Sequence, residues 1–262
     1  MVDKRNKHAM IVGSAPCSAQ LVDANLEGFE KIALHKAWQL RDDFDYQIAL
    51  RDHTDGAQVP ETYPARRIRK RQYKNTLDQV GGPIMTSASI SIFAGFWAVN
   101  EARYKTISYF GCDLVYQPSV TEGRTHFYGV SDLGPAASDH TAQIFPHLRF
   151  ARLFGWGLLH RVVLLNASAL EGTKMCFPEI PYEEDREIAF TRVMRSPLAA
   201  EIIRHSGAAL AEEQILYNER FEYRWPKQRH DPEFREDMEA CMKAWEPVYE
   251  TALELGEVLN SQ

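Results

Sequence analysis

Small and polar residues follow four apolar runs of the chain, and each of these runs has the character of a buried strand. The segments are Gly13 to Ser18, His35, Arg51 to His53, and Gly111 to Asp113. In an open parallel sheet, ligands bind at such strand ends, because the loops and helix starts there leave backbone N–H groups free. The hydroxyls of Thr86 and Ser87, at a predicted helix start, can cap that helix or bond a phosphate. These segments together predict a binding site at this edge of the sheet for a ligand that carries a phosphate.

Two histidines are candidates for a general base. His126 lies in a loop bounded by Gly123 and Gly129, and His140 follows Asp139 at the apparent start of a helix. A histidine near its free pKa can take a proton from a hydroxyl at neutral pH. The alternative is that Asp139 merely caps the helix and that both histidines are ordinary loop residues.

The elements that must position these residues are short apolar runs alternating with amphipathic stretches. The predicted strands are Ala9–Val12, Lys31–His35, Tyr46–Leu50, Thr106–Phe110 and Arg161–Leu165. The predicted helices are a short one around Gln20–Asn25 and two longer ones at Ser87–Ala102 and Asp139–Leu159. Buried strands separated by helices are typical of an α/β protein with a mostly parallel sheet and helices on both faces.

The chain changes character after residue 178. Residues 179–262 are charged, contain no strand candidate and are predicted to form a helical extension of the domain at residues 1–178. The last segment, Pro232–Leu259, carries one apolar stripe: Phe234, Met238, Cys241, Met242, Trp245, Val248, Tyr249, Ala252 and Leu255. Such a stripe packs on the parent domain or on a second subunit, so a homo-oligomer is one of two alternatives.

Composition excludes several classes of protein. The 262 residues are 45% hydrophobic and 25% charged, which is the balance of a folded domain and not of a disordered chain. The four cysteines form no C-x-x-C pair, which argues against a zinc knuckle or a disulfide framework and favours a reducing compartment. The first apolar run, Ala9–Val12, is too short for a signal peptide or a membrane span. We therefore expect a cytoplasmic protein with no membrane span.

Charge is unevenly distributed along the chain. The net charge of -6 argues against a surface built wholly for nucleic acid, and residues 231–262 alone hold nine acids and two bases. The segment Arg66–Arg71 places five cations in six residues. Such a run can bind the phosphates of nucleic acid or an anionic substrate, or it can be a solvated strand or loop balanced by the acidic tail.

A D-x-D pattern at Asp43 and Asp45 is the pattern with which metal-dependent glycosyltransferases hold a divalent ion. It precedes a predicted strand and so lies at the end of the sheet opposite the expected site, which favours a solvated turn. Asp113, at the end of a strand, is the better candidate if Mg²⁺ is used.

Several of these segments resemble two known families. The sequence Gly13-Ser14-Ala15-Pro16-Cys17-Ser18 resembles the G-N-G-P-S-L loop of bacterial sialyltransferases with a Rossmann-like fold, Thr86-Ser87-Ala88 resembles their T-S-G, and Gly111-Cys112-Asp113 their G-I-D. The segment from Gly111 to Gly129 also resembles the domain shared by flagellin-modifying motility-associated transferases and the archaeal hydroxymethylpterin pyrophosphokinase. The resemblance covers about residues 8–178.

The resemblance implies a Rossmann-like, nucleotide-dependent transferase that uses a sugar linked to cytidine monophosphate. It implies that Gly13 and Ser14 line the phosphate and ribose, that Thr86 and Ser87 contact the donor, that Tyr116 contacts the leaving phosphate and that His140 is the base. Ala15 and Pro16 complete the loop, and His35 stands where the family has an asparagine. Ser14, Ala15 and Ala88 also depart from the family pattern.

The transfer reaction itself determines which catalytic groups such an enzyme needs. Transfer from an activated sugar passes through an oxocarbenium-like state, so the protein deprotonates an acceptor on one side and stabilises a departing phosphate on the other. A histidine suits the first task and tyrosine or serine hydroxyls suit the second, with no cofactor required. One alternative is an ATP-dependent pyrophosphokinase that uses Mg²⁺. The other is a non-catalytic protein that keeps the fold and uses the basic run for assembly or nucleic-acid contact.

Overall fold

The computed structural model describes residues 7–49, 59–81, 89–102, 104–113, 127, 145–168, 173, 175–220 and 232–261. Its centre is a six-stranded sheet in which every neighbouring pair is parallel. The strands are β1 (His8–Val12), β2 (Phe29–Leu34), β3 (Tyr46–Ile48), β4 (Arg66–Arg67), β5 (Thr106–Phe110) and β6 (Val163–Asn166). Their order across the sheet is β4-β3-β2-β1-β5-β6, which confirms the predicted α/β, Rossmann-like class.

Seven α-helices surround this sheet in the described part of the chain. They are α1 (Lys70–Gln79), α2 (Ile90–Trp97), α3 (Pro146–Leu159), α4 (Arg186–Arg195), α5 (Pro197–Arg220), α6 (Pro232–Lys243) and α7 (Glu246–Asn260). Two 3₁₀ helices, at Pro16–Leu21 and His35–Leu40, follow β1 and β2 directly.

The alternation of side chains along β1 shows how the sheet divides the core. Ala9 and Ile11 belong to the larger apolar cluster, which α2, α3 and the C-terminal helices cover. Met10 and Val12 point to the opposite cluster, where residues of the two 3₁₀ helices pack. Both faces of the central strand are therefore buried, which explains why its sequence is a continuous apolar run.

Several elements differ from the sequence predictions in their boundaries, and one strand was not among the predicted strands. The short helix expected at Gln20–Asn25 is the 3₁₀ helix that begins at Pro16, because proline at a first helical position needs no N–H partner. The helix expected to reach Ala102 ends at Trp97 and continues as a π-helical turn, Ala98–Ala102. The short edge strand β4 was not predicted, because its two residues are exposed arginines.

The apolar stripe of the last segment packs on the parent part of the chain. Helices α5 and α7 lie against α3 and against each other, and seven of the stripe residues join the larger core cluster: Met238, Cys241, Met242, Trp245, Val248, Ala252 and Leu255. The sequence left two packing partners open for this stripe, the parent domain or a second subunit, and the structure shows it packed on the parent domain.

A buried ion pair joins α3 to α5 within this helical layer. Nε of Arg152 lies 2.8 Å from Oε1 of Glu213, and the indole Nε1 of Trp245 donates to the same oxygen at 2.5 Å. The guanidinium also lies over the ring of Phe96, 5.2 Å from its centroid. The contacts tie the C-terminal helices to the helix that covers the sheet.

Candidate functional site

The sheet changes direction between β1 and β5. From β1 the chain proceeds through β2 and β3 to one edge, whereas β5 and β6 extend to the other. At such a switch point the loops leave the strand ends in opposite directions and open a crevice for a ligand. The loops that follow β1 and β5 are Gly13–Ser18 and Gly111–Asp113, so the structure brings two of the predicted segments together.

Glycines hold these two loops in direct backbone contact. Gly13 N–H donates to Phe110 O at 2.8 Å, and Ala15 N–H donates to Gly111 O at 3.1 Å. A Cβ atom on Gly13 would lie 2.1 Å from Gly111 O, and one on Gly111, which has φ +67°, would lie 1.8 Å from Ser18 Oγ. Only glycine fits at either position.

The loop after β1 uses most of its hydrogen-bond donors internally. Besides Gly13 and Ala15, Ser18 donates its N–H to Ala15 O and its hydroxyl to Gly13 O, both at 2.9 Å. Pro16 has no N–H. Among the described residues, the N–H groups of Ser14 and Cys17 have no backbone acceptor, and the loop can offer them to a ligand together with the half-buried Ser14 hydroxyl.

Asp113 is a buried charged group in the loop that follows β5. Its side chain is 1% exposed, accepts a 2.6 Å hydrogen bond from Ser168 Oγ at Oδ1 and lies 4.0 Å from Cys17 Sγ at Oδ2. Burial raises the pKa of this carboxyl group above its usual value, although hydrogen bonds from Ser168 and Thr173 act in the opposite direction. The fold thus holds a carboxylate where ionisation is unfavourable.

This burial gives Asp113→Asn a predicted effect on stability. Because the pKa of Asp113 is raised on folding, its contribution to stability is complete below the unfolded value of about 3.9 and is lost as the pH rises through the folded value. The amide removes the charge and its oxygen can still accept from Ser168. We expect the variant to be more stable than the wild type at pH 8, with the difference shrinking toward pH 4, in urea unfolding at each pH.

The matched control for this prediction is Asp42→Asn, a change at an exposed aspartate. It should show no comparable gain at pH 8. A lower stability of Asp113→Asn than of the wild type across the whole pH range would contradict the argument from burial.

Sequence reasoning did not single out the loop after β6, which supplies the partners of Asp113. Ser168 bonds both Asp113 and Asn166, and the pKa of Asp113 also responds to Glu179. Asn166 is fully buried, and its Nδ2 has no hydrogen-bond partner among the described residues. The rule that ligands bind at strand ends applies equally to β6, and it could have identified this loop from the sequence.

His35 lies at the same edge of the sheet, directly after β2. It has a left-handed backbone with φ +47°, and its carbonyl accepts a 2.7 Å hydrogen bond from Gln47 Nε2. The 3₁₀ helix that it begins packs against the one that follows β1. The half-buried ring therefore borders the same region as the loop after β1.

The remaining predicted site residues lie outside the described part of the chain. These residues are Thr86, Ser87, Tyr116, His126 and His140. Ala88 and the segment Arg51–His53 also lie outside it. Phe127 is described, and its N–H donates to Ser14 O at 2.9 Å. The chain between β5 and α3 thus passes the crevice at Phe127.

The cysteines near the crevice are not activated nucleophiles. Burial raises the pKa of Cys17 to about 12, and the nearby Asp113 acts in the same direction. Burial also raises the pKa of Cys112 well above its ordinary value. A thiol must ionise to attack, so both side chains serve as packing groups at neutral pH.

The described ranges show neither a metal-binding cluster nor a membrane-spanning helix. Among those residues no group of three or more His, Cys, Asp or Glu side chains is arranged to hold a metal ion. None of the helices described is long and apolar enough to cross a bilayer.

The D-x-D pattern lies at the opposite, amino-terminal edge of the sheet, as predicted. The Asp43 carboxylate pairs with the Arg41 guanidinium at 2.8 and 2.9 Å, and Asp45 Oδ2 accepts from Lys31 N–H at 2.8 Å. Both carboxylates therefore have protein partners that secure a turn before β3.

Comparisons with known proteins yield no match, whether with protein-family models, curated proteins or solved structures. The fold and the crevice define an α/β protein with a polar site at the switch point of its sheet.

Proposed function

We propose that this protein is a transferase that binds a nucleotide-activated sugar, linked through a single phosphate, in the crevice between β1 and β5. The observation that carries the proposal is the contact between the Gly13–Ser18 and Gly111–Asp113 loops at the switch point. At this contact Cys17 Sγ lies 4.0 Å from the buried Asp113 carboxylate, and Ser168 bonds both that carboxylate and the side chain of Asn166.

The small number of free donors in the first loop favours a donor with one phosphate. Loops that bind ATP surround the phosphates with a succession of backbone N–H groups. Here Gly13, Ala15 and Ser18 donate within the protein, which leaves two N–H groups and one hydroxyl. That supply matches a phosphate monoester better than a triphosphate.

Asp113 and Asn166 suit the hydroxyl-bearing parts of the donor. A carboxylate that accepts from Ser168 still has free lone pairs, and the Nδ2 group of Asn166 needs an acceptor. A ribose or sugar hydroxyl can both donate and accept. In this proposal binding of the donor relieves the cost of a buried, incompletely paired polar cluster.

The acid–base groups of the reaction are assigned to the segment between β5 and α3. His140 is the proposed base toward an acceptor hydroxyl, with His126 as the alternative, and Tyr116 is the proposed donor to the leaving phosphate. We expect His140→Ala to lower the rate of transfer by about 10²–10⁴-fold, the usual contribution of a general base. The measurement is release of nucleotide in the presence of acceptor, with unchanged circular dichroism as the check on folding.

Retention of full activity by His140→Ala, together with loss of activity in His126→Ala, would move the role to His126. Full activity in both variants would contradict a histidine base.

Calorimetry with CMP, CDP and ATP, each with and without Mg²⁺, tests the proposal as a whole. We expect CMP to bind without metal and Ser14→Ala to weaken that binding by roughly tenfold, the effect of one lost hydrogen bond to a charged group. Conversion of ATP to AMP that requires Mg²⁺ would instead show a pyrophosphokinase. Indifference to all three nucleotides would exclude both enzymes.

A further inference from the structure

A second polar cavity lies at the amino-terminal edge of the sheet, opposite the crevice. Its volume is about 960 Å³, at the upper end of the range of roughly 300–1,000 Å³ found for small-molecule sites. Its lining includes three arginines of the basic run: Arg66, Arg67 and Arg69. Most of the basic run therefore lines one cavity and is not simply dispersed in solvent.

Two acidic side chains of this groove already have partners within the protein. Glu30 pairs with Lys7 and accepts a 2.5 Å hydrogen bond from the Tyr104 hydroxyl. Asp45 accepts from the backbone N–H of Lys31 at 2.8 Å. Glu61 is the one other acid in the lining, and it is exposed.

Two arginines of the groove, by contrast, are not held in ion pairs within the described part of the chain. Arg66 and Arg69 are exposed and form no ion pair with any described residue. Arg67 differs, because its guanidinium donates to Val59 O at 2.6 Å and Pro60 O at 2.8 Å and so holds the adjoining chain in place. The groove thus has one arginine fixed to the adjoining chain and two guanidinium groups for which the described ranges supply no carboxylate partner.

Two further features of the groove favour a ligand with acceptor groups. Trp97 is 2% exposed, and its indole N–H has no acceptor among the described residues. Helix α1 begins at Lys70 beside the arginines and has no acid in its first turn, so the positive end of its dipole adds to their charge. The groove therefore favours a ligand that carries negative charge and several acceptor oxygens.

We infer that this groove binds the phosphate of a nucleotide, either free or within single-stranded nucleic acid. The guanidinium fork matches the paired oxygens of a phosphate group. The half-buried rings of Tyr46 and Tyr63 in the lining supply aromatic surface for a base, since stacking on aromatic side chains tolerates any base. Because the groove and the crevice lie at opposite edges of the sheet, this site is independent of the proposed transferase site.

The test is fluorescence anisotropy with a labelled oligothymidylate of about ten nucleotides, a length within the usual range of single-strand sites. We expect Arg66→Ala/Arg69→Ala to weaken binding roughly tenfold or more, because each arginine makes a charged hydrogen bond. The slope of log affinity against log salt should fall by about 1.4, since each phosphate contact with a single strand contributes about 0.7. The control Arg195→Ala/Arg204→Ala removes the same charge from exposed arginines elsewhere and should change binding less than threefold.

A second variant separates binding from folding. Gln72 lies in the first turn of α1 and accepts from the Arg69 N–H at 3.2 Å. Gln72→Glu keeps that acceptor and places an acid where the helix dipole favours it, so the fold should be at least as stable while oligonucleotide binding falls. Asp113→Asn, in the other site, should leave oligonucleotide affinity unchanged even if nucleotide binding in the crevice fails.

Competition distinguishes the source of the phosphate. Displacement of the oligonucleotide by TMP at a similar concentration of phosphate groups supports a free nucleotide, and resistance to TMP supports a strand. Equal displacement by polyglutamate would overturn the inference, because the groove would then recognise charge alone. Absence of binding at low salt, or equal loss of affinity in the control variant, would overturn it as well.

Discussion

Glu213→Ala should lower the free energy of unfolding by about 3–5 kcal/mol, the usual cost of removing one partner of a buried ion pair. Arg152 is 2% exposed and Glu213 is 8% exposed, so the guanidinium would remain in the core without its counter-charge. Its Nη1 already has no hydrogen-bond partner among the described residues. The Trp245 indole would lose its acceptor at the same time. Equilibrium unfolding in urea measures the difference.

Glu212→Ala is the matched control, because Glu212 is the exposed neighbour on the same helix. Its effect should stay within about 0.5 kcal/mol, as for most surface changes. The double variant Arg152→Met/Glu213→Leu should be more stable than Glu213→Ala, because it removes the stranded charge and restores apolar volume. A loss below about 1 kcal/mol in Glu213→Ala would show that the pair is hydrated and not part of the core.

Gly13→Ala should destabilise the protein by about 3 kcal/mol, the upper part of the range for an overpacked core position. The new methyl group would lie 2.1 Å from Gly111 O, a backbone atom that two neighbouring strands hold in place. To relieve the clash, the loops after β1 and β5 must separate. We therefore expect CMP binding to be lost at temperatures where the variant is still folded, as measured by calorimetry and thermal unfolding.

Two other glycines separate the steric clash from the general effect of adding a methyl group. Gly28 has φ +88° and no atom within 4 Å of the added methyl group, so its change to alanine should cost about 1–2 kcal/mol for backbone strain alone. Gly207 lies in open space within α5, where alanine should stabilise the helix by about 0.5–1 kcal/mol. CMP binding that survives in Gly13→Ala would contradict the role of this loop contact.

Much of the sheet could be predicted from local patterns. The apolar runs around Ile11 and Ile32 each correspond to a strand, because burial on both faces leaves no polar alternation. The edge strand at Arg66–Arg67 could not be predicted, since its residues are charged and only the pairing with β3 makes them a strand. The start of α2 and the π-helical turn after it likewise depend on packing that the helical period does not encode.

The candidate site was predicted only in part. The rule that ligands bind at strand ends identified Gly13, Gly111 and Asp113, and the structure places all three at one switch point. The same rule does not show which N–H groups of the loop are used within the protein. Gly13 and Ala15 donate to Phe110 and Gly111, which lie about a hundred residues away in sequence. The rule also does not show that Ser168 is the partner of Asp113, which the neighbouring position of β6 decides.

The sequence by itself determined that this chain forms a parallel α/β sheet with glycine-containing loops after its strands. Hydrophobic periodicity and the steric limits of glycine and proline are local properties, and they act before any long-range contact exists. The order of the strands decided the rest. That order brought Gly13 against Gly111 and Asp113 next to Ser168. The packing of the helices and the sheet paired Arg152 with Glu213 and gathered the arginines of the basic run into one groove. Each of these contacts joins elements that only the folded sheet and its helices bring together.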